Sequence, residues 1–371
     1  MPQIARSVLI ADAALLAAGC ATSNRAGSTG EPFEVVAESA RYRWTGVAAV
    51  IDGRRERIFV NYPHWNERAP AQVAELIDGQ PVAYPNATMQ SWSPGQNPAS
   101  RWVCVQSVHA DDSGRLWVLD PAAPGFQGPV PGGAKLVHID PDTDRIVRTY
   151  LFDDTAAPPG TYLNDVRIDL ETDTAFITDS GRGGLVILDL ATGATRRVLD
   201  RHPLTETEPG VTLTVGGQPF LAPDGTTPQI HSDGIAIDPE TRTLYFQAIT
   251  ARTLHSIPLD TLLDASLGDA AIARAASSHA NAPVTDGMLF HKNRLHFSAL
   301  EEDGVVTWDL TGSTPRRDAT VSHPRIAWPD SFAKGKRGSV LVTTAQIHSV
   351  PPFEPGARVP EQPYLILRVR P

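Results

Sequence analysis

Short runs of alternating apolar and polar residues, separated by turn residues, recur from about Thr45 to the C-terminus. In one stretch Val166, Ile168 and Leu170 alternate with polar neighbours, Glu171-Thr172-Asp173 makes a turn, and Ala175 to Thr178 pairs back. Leu185 to Leu190 then reads as a third strand, and the turn Ala191-Thr192-Gly193 delivers a fourth over Thr195 to Leu199. A period of two bounded by turn chemistry is the signature of strands joined as hairpins. Copies of the unit start at Thr45, Gln106, Asn164, Asp233, Asp286 and Asp330, between 44 and 69 residues apart. That spacing suits a four-stranded propeller blade with added loops. The fold expected is all-β: a single closed six-bladed β-propeller over residues 32–371. A sandwich would not need six copies of one hairpin, whereas ring closure does, because it hides sheet edges. The best 3.6-residue period, Leu259 to Ala276, predicts a helix between blades. Strand-like segments left over at the two ends, Phe33 to Ala37 and Pro363 to Arg370, are expected to share a blade.

Composition adds little that conflicts. A length of 371 residues with 41% hydrophobic and 20% charged residues supports a folded core, and 29 Gly with 32 Pro matches many turns. The net charge of −10, with no basic run longer than Arg54-Arg55 or Arg316-Arg317, disfavours a nucleic-acid partner. At the N-terminus, Ser7 to Ala18 is an apolar stretch too short to span a bilayer, and Leu15 to Cys20 has the pattern of a lipoprotein processing site. Residues 1–20 are therefore expected to be an export signal with Cys20 lipidated, and 21–31 a flexible tether. The protein is expected outside the cytoplasm, secreted or held in the cell envelope, touching membrane only through that lipid, and as a monomer. Cys104, between Val103 and Val105, reads as a buried small hydrophobe.

In a propeller the first strand of each blade lines the channel, so the six repeat-initial residues should converge at one mouth. Asp233, Asp286 and Asp330 with the amides of Gln106 and Asn164 would repel or compete unless protonated, hydrated or neutralised. A hard divalent cation, Ca²⁺ or Mg²⁺, suits such oxygens. The plainer reading is that Asp-Gly and Asn-Asp are turn chemistry. His231, beside Asp233, and His109 are the histidines placed nearest this ring, and no zinc-type histidine spacing, phosphate loop or Gly-x-Ser-x-Gly elbow occurs. Two long Pro- and Gly-rich segments, Gln80 to Arg101 with Trp92 and Arg201 to Ile230 with Phe220, are expected to roof a pocket.

The ordered series Arg57 to Trp65, Arg115 to Asp120, Leu163 to Asp169, Ala175 to Ser180 and Gly184 to Leu190 resembles the Yellow/major royal jelly protein family. The resemblance implies a secreted six-bladed propeller. It also implies a range of activities, from dopachrome tautomerisation to binding of biogenic amines in the channel. A more distant likeness to gluconolactonase/SMP-30 propellers implies a channel cation held by Asn164 and Asp233. The family's glutamate is replaced by Thr45, so Asp286 or Asp330 would have to substitute. Three functions follow as expectations for a small-molecule ligand at the channel. One is metal-assisted lactone hydrolysis with His231, Asp286 or Asp330 as base. The second is tautomerisation. The third is non-catalytic binding of an aromatic amine, with Thr45, Gln106, His109, Trp92 and Phe220 contributing contacts and Asp286 or Asp330 pairing with its ammonium.

Overall fold

Six four-stranded antiparallel sheets form the blades in the computed structural model, which describes residues 31–65, 68–311, 315–350 and 362–370. The expected signal, Cys20 and nearly all of the tether lie outside the described residues. Blade 1 is Val47–Asp52, Arg55–Asn61, Val73–Ile77 and Gln80–Ala83; blade 2 is Ser107–Ala110, Leu116–Asp120, Lys135–Asp140 and Arg145–Leu151. Blade 3 is Leu163–Asp169, Thr174–Asp179, Leu185–Asp189 and Thr195–Val198; blade 4 is Ser232–Asp238, Thr243–Ala248, Thr253–Pro258 and Ser277–Ala280. Blade 5 is Thr285–His291, Arg294–Ala299, Gly304–Asp309 and Arg316–Ser322. Blade 6 combines Pro329–Lys334, Val340–Thr344 and Tyr364–Val369 with the N-terminal strand Phe33–Ser39, so the two ends of the chain do share a blade.

The first strand of each blade meets the first strand of its neighbours all the way round, which places these strands against the axis. Each pair of adjacent blades encloses one apolar cluster. The alternation of side chains explains how one strand serves two interfaces: Val47 and Ala49 pack toward blade 6, while Ala48 and Val50 pack toward blade 2. Hence central strands such as Leu116–Asp120 are buried on both faces and read as continuous apolar runs rather than alternating ones. Hairpin turns are fixed by aspartates that accept from backbone amides two or three residues on, Asp169 from Glu171 and Asp238 from Glu240 among them.

The helical segment differs from expectation. It forms two short helices, Leu259–Leu263 and Asp269–Ala275, and they are an insertion between the third and fourth strands of blade 4 rather than a link between blades. Their apolar residues Leu259, Leu262 and Ile272 cover the blade 3–4 cluster. Cys104 is a free, fully buried thiol whose pKa is pushed up by burial, as a small hydrophobe should be. Among the described residues no helix is long and apolar enough to cross a membrane.

Candidate functional site

The channel has two unlike ends. At the end where the inner strands begin, the repeat-initial residues come together, and β-bulges explain how. Register breaks at Leu163/Val166, Ser232/Gly234, Thr285/Met288 and Pro329/Phe332 place an extra residue at each of these sites. A bulge re-aims a side chain and leaves ladder amides unpaired. Hydroxyls from the second strands take up those amides: Thr178 accepts from Asp165, Ser298 from Asp286 and Gly287, and Thr343 from Ser331. The glycines that follow the ring residues serve close approach rather than a turn. A Cβ on Gly234 would lie 2.7 Å from the Asp286 carbonyl oxygen, and one on Gly287 would lie 2.3 Å from that of Asp330.

A chain of hydrogen bonds runs through most of the ring. Tyr162 Oη donates to Gln106 Oε1 at 2.7 Å, Gln106 Nε2 donates to Asn164 Oδ1 at 3.2 Å, and Asn164 Nδ2 donates to Asp233 Oδ2 at 2.5 Å. Asp233 lies within hydrogen-bonding reach of Asp286, whose Oδ2 accepts from Trp328 Nε1 at 2.7 Å. Ser331 Oγ donates to Asp330 Oδ1 at 3.1 Å, while Asp330 Oδ2 has no partner among the described residues. Thr45 takes no part in this array: its hydroxyl donates to the Gln106 carbonyl and accepts from Asn61, joining blades 1 and 2. All three ring aspartates are buried. Burial first, then repulsion from Asp286 and the nearby Asp165, raise Asp233 and Asp330 well above the usual carboxyl range; burial, opposed by the bond from Trp328 and helped by Asp165, pushes Asp286 up to about 7. Two carboxyls in contact in a dry site share a proton.

An apolar lid seals this end. Trp65, Tyr162, Leu213, Phe220, Ile249, Val284, Leu300, Trp328 and Ile347 belong to one buried cluster, with Phe220 edge-on to Trp328 at 5.1 Å. The indoles are amphipathic plugs. Trp65 Nε1 donates to Tyr162 Oη at 2.6 Å and Trp328 Nε1 to Asp286, so each keeps its apolar body in the lid and its polar tip on the network. The Arg201–Ile230 excursion thus roofs the ring through Leu213 and Phe220, whereas the Gln80–Arg101 excursion does not. Tyr84 and Met89 of that segment, with Trp102 just after it, fill the blade 1–2 interface, and Trp92 turns back on its own loop, donating to the Gln96 carbonyl. His231 also misses the ring, because its Nδ1 accepts from Thr207 N at 3.2 Å and its charged neighbours are Glu206, Asp179 and Arg201.

The residues do not fit a resident divalent cation in this arrangement. Such an ion takes six or more oxygens, and among the described residues no three His, Cys, Asp or Glu side chains converge to hold a metal. One oxygen of Asp233 and one of Asp286 are taken by N–H donors from Asn164 and Trp328, and Asp330 Oδ2 has no partner among the described residues.

The opposite end, where the inner strands finish, is an axial pocket of about 310 Å³ lined by all six blades. Its wall is apolar, with Val50, Ile168, Ile237, Leu289, Phe290 and Phe332, and its polar groups include His109, Arg167 and Lys334. His109 projects from the end of the blade 2 inner strand, and its ring makes no hydrogen bond among the described residues. Burial, then Arg167 and Lys334, hold its pKa well below the usual value, so the imidazole is neutral. Arg167 reaches across the channel, with Nη2 donating to the Met288 carbonyl at 2.7 Å and lying 3.5 Å from Asp165 Oδ2, and Nε left unpartnered. Asp165 in turn accepts from Ser107 Oγ at 2.9 Å. Reasoning from sequence missed Arg167, which passes for an ordinary outward polar residue in an alternating strand. The available signal was its place one turn of the pleat beyond Asp165 in the most regular repeat.

Comparison with known proteins bears on the fold. Similar solved structures include a calcium-binding regucalcin from Agrobacterium tumefaciens (TM-score 0.51, 14% identity, 92% of this chain and 96% of that one). A gluconolactonase from Xanthomonas campestris (0.50, 12%, 90% and 88%) and a luciferin-regenerating enzyme (0.52, 10%, 90% and 92%) are also similar. At such identities the likeness is one of fold. A search of curated proteins finds no match. The family model described as major royal jelly protein matches residues 103–325, from the second blade through the fifth and more than half of the chain. With six blades closed by a shared terminal sheet, the chain belongs to the major royal jelly protein family.

Proposed function

We propose that this protein binds a small organic ligand at the open end of its channel, in the pocket floored by His109 and Arg167. The observation that carries the reading is the asymmetry of the channel: one end is filled by a hydrogen-bonded polar network under an apolar lid, and the other is a concave, mostly apolar pocket with a few convergent polar groups. Of the expected activities, the metal-assisted lactonase needs a cation among the ring residues, where Asn164 and Trp328 already donate to Asp233 and Asp286. The amine-binding reading with Asp286 or Asp330 as counter-ion needs the lid to be absent. A proton-shuttling reading, as in a tautomerase acting on a dopachrome-like substrate, would use His109, whose ring lies on the pocket floor; the burial and nearby cations that keep it neutral also make it a weak base, so the binding reading is preferred.

The test uses benzyl alcohol as a neutral probe and saturation-transfer NMR on the full protein. His109→Trp, which fills the floor, is expected to abolish the transfer signal, and Asp233→Asn at the sealed end to leave it intact. Transfer that survives His109→Trp, or disappears in Asp233→Asn, would overturn the assignment. The reading also includes export with lipidation at Cys20, supported by the Leu15 to Cys20 pattern. Incorporation of labelled palmitate that Cys20→Ser does not remove would exclude it.

A further inference from the structure

Resting on the reading of Cys20 as lipidated, we infer that the pocket-end face of blades 5, 6 and 1 docks on an anionic phospholipid surface, a contact beyond the lipid itself. The hairpin turns joining the first and second strands of every blade lie at this end, and their charges divide by sector. Counting from the last residue of the first strand to the first of the second, blade 5 carries Lys292 and Arg294 and blade 6 carries Lys334, Lys336 and Arg337. Blade 1 adds Arg54 and Arg55, and Asp52 is the one carboxylate in these three turns. The other three blades reverse the sign, with Asp111, Asp112 and Arg115 on blade 2, Asp169, Glu171 and Asp173 on blade 3, and Asp238, Glu240 and Arg242 on blade 4. Three of the four lysines in the chain, Lys292, Lys334 and Lys336, fall in the basic sector. Its turns are contiguous: Lys292 Nζ lies 3.5 Å from the Gly338 carbonyl, and the Lys336 amide donates to Glu56 of blade 1 at 2.8 Å.

Pairing decides which of these charges are available. Lys334 is engaged by Asp112, Arg294 by Asp318, and Lys336 Nζ lies 3.6 Å from Glu56. Arg54, Arg55 and Arg337 are exposed and their guanidinium groups have no partner among the described residues; Arg370, exposed just past the last strand at the same end, is a fourth. Unpaired guanidinium forks suit phosphate oxygens. The N-terminal strand also enters here, since Phe33 pairs with Val369, Val369 with Val340, and Val340 with Lys334, one row across blade 6. The tether expected between Cys20 and Phe33 is twelve residues and would span roughly 20 Å as a coil, so an acyl chain on Cys20 keeps this rim near the bilayer. One acyl chain binds a membrane only marginally, and a basic patch supplies the second attraction. The net charge of −10 repels such a surface overall, but charges act there within a Debye length of ~8 Å, so orientation decides the sign. The acidic sector is pushed away, which tilts the molecule onto blades 5, 6 and 1 and leaves the pocket mouth open on the side of blades 2 to 4.

The test is vesicle flotation at low salt with the full chain carrying Cys20→Ser. Binding to phosphatidylglycerol vesicles is expected to exceed binding to phosphatidylcholine vesicles at least about tenfold. Arg54→Gln/Arg55→Gln and Lys336→Gln/Arg337→Gln should each shrink that preference, and the four changes together should remove it. Arg101→Gln/Arg201→Gln, in the two long loops, should leave it intact. Equal binding to the two lipids, or a preference lowered as much by the loop pair as by the turn pairs, would overturn the inference. Capture by soluble polyphosphate without any preference between the vesicles would assign the sector to a soluble polyanion and overturn it as well. Because these chains carry no acyl group, the vesicle result is independent of lipidation; labelled palmitate persisting in Cys20→Ser would defeat the lipidation reading alone.

Discussion

Deleting Tyr364 to Pro371 is expected to unfold the protein outright. The strand Tyr364–Val369 is the third of blade 6 and pairs on one side with Val340–Thr344 and on the other with the N-terminal Phe33–Ser39. Its removal would reduce the blade to two strands and release the N-terminal strand with it. Tyr364, Leu365, Ile366, Leu367 and Val369 are all buried. At ~1.5–3 kcal/mol for each buried side chain, their loss amounts to roughly 8–15 kcal/mol, as large as the whole stability of an ordinary domain. Cross-blade bonds would go as well: Trp44 Nε1 donates to the Leu365 carbonyl, and Arg368 is paired with Glu56 of blade 1 at 2.6 Å. Circular dichroism should show no cooperative melt in the truncated chain. A truncated protein melting like the full one would mean that the ring does not depend on its terminal closure.

The second large effect is on pH dependence. In the folded protein Asp286 is pushed up to about 7, chiefly by burial, whereas an exposed aspartate sits near 3.8. The folded state thus holds a proton that the unfolded state has released. That contribution is complete below about pH 4 and is lost as pH rises toward and through 7. Asn at this position keeps an acceptor for Trp328 Nε1 and offers an amide donor to Asp233, as a protonated carboxyl would. Asp286→Asn is therefore expected to be more stable than wild type by about 2–4 kcal/mol at pH 8 and equal to it near pH 4. Because Asp233 and Asp330 titrate with Asp286 as a coupled set, the expected effect belongs to the set as a whole. Carboxylates held low by arginines, such as Asp200 at about 2, lose their contribution only in acid and are common to both proteins. Parallel curves of melting temperature against pH for variant and wild type would contradict this account.

Much of the architecture was legible because a blade is a local object. The hairpin pattern, the six starts and the leftover terminal strands all follow from short-range alternation, and each appears in the structure. The convergence of Asn164, Asp233, Asp286 and Asp330 was legible for the same reason. What they converge into was not. Whether a polar ring is open to solvent depends on loops that close over it from far away in sequence, and nothing in Trp65 or Trp328 taken alone marks them as plugs. The Asp-Gly pairs looked like turns, yet Gly234 and Gly287 are required by the approach of the next inner strand, a contact between blades that periodicity does not encode. His231 is adjacent in sequence to the ring strand, but sequence adjacency does not fix the direction of its side chain; Trp92 sits in a long loop whose anchoring residues pack into the blade 1–2 interface rather than over the channel. The two helices of blade 4 were visible as a 3.6-residue period, but their place inside a blade depended on the late fourth strand, Ser277–Ala280.

The central claim is that the sealed end of the channel is a proton-sharing network and the open end is the ligand site. Its most direct test is carbon NMR of the aspartate carboxyls, assigned with Asp233→Asn and Asp286→Asn and followed through pH and through addition of Ca²⁺. The account predicts that ring carboxyls remain protonated at pH 6, where free aspartate is ionised, and do not shift when Ca²⁺ is added. Ring carboxyls fully ionised at that pH, or moving stoichiometrically with Ca²⁺, would contradict it.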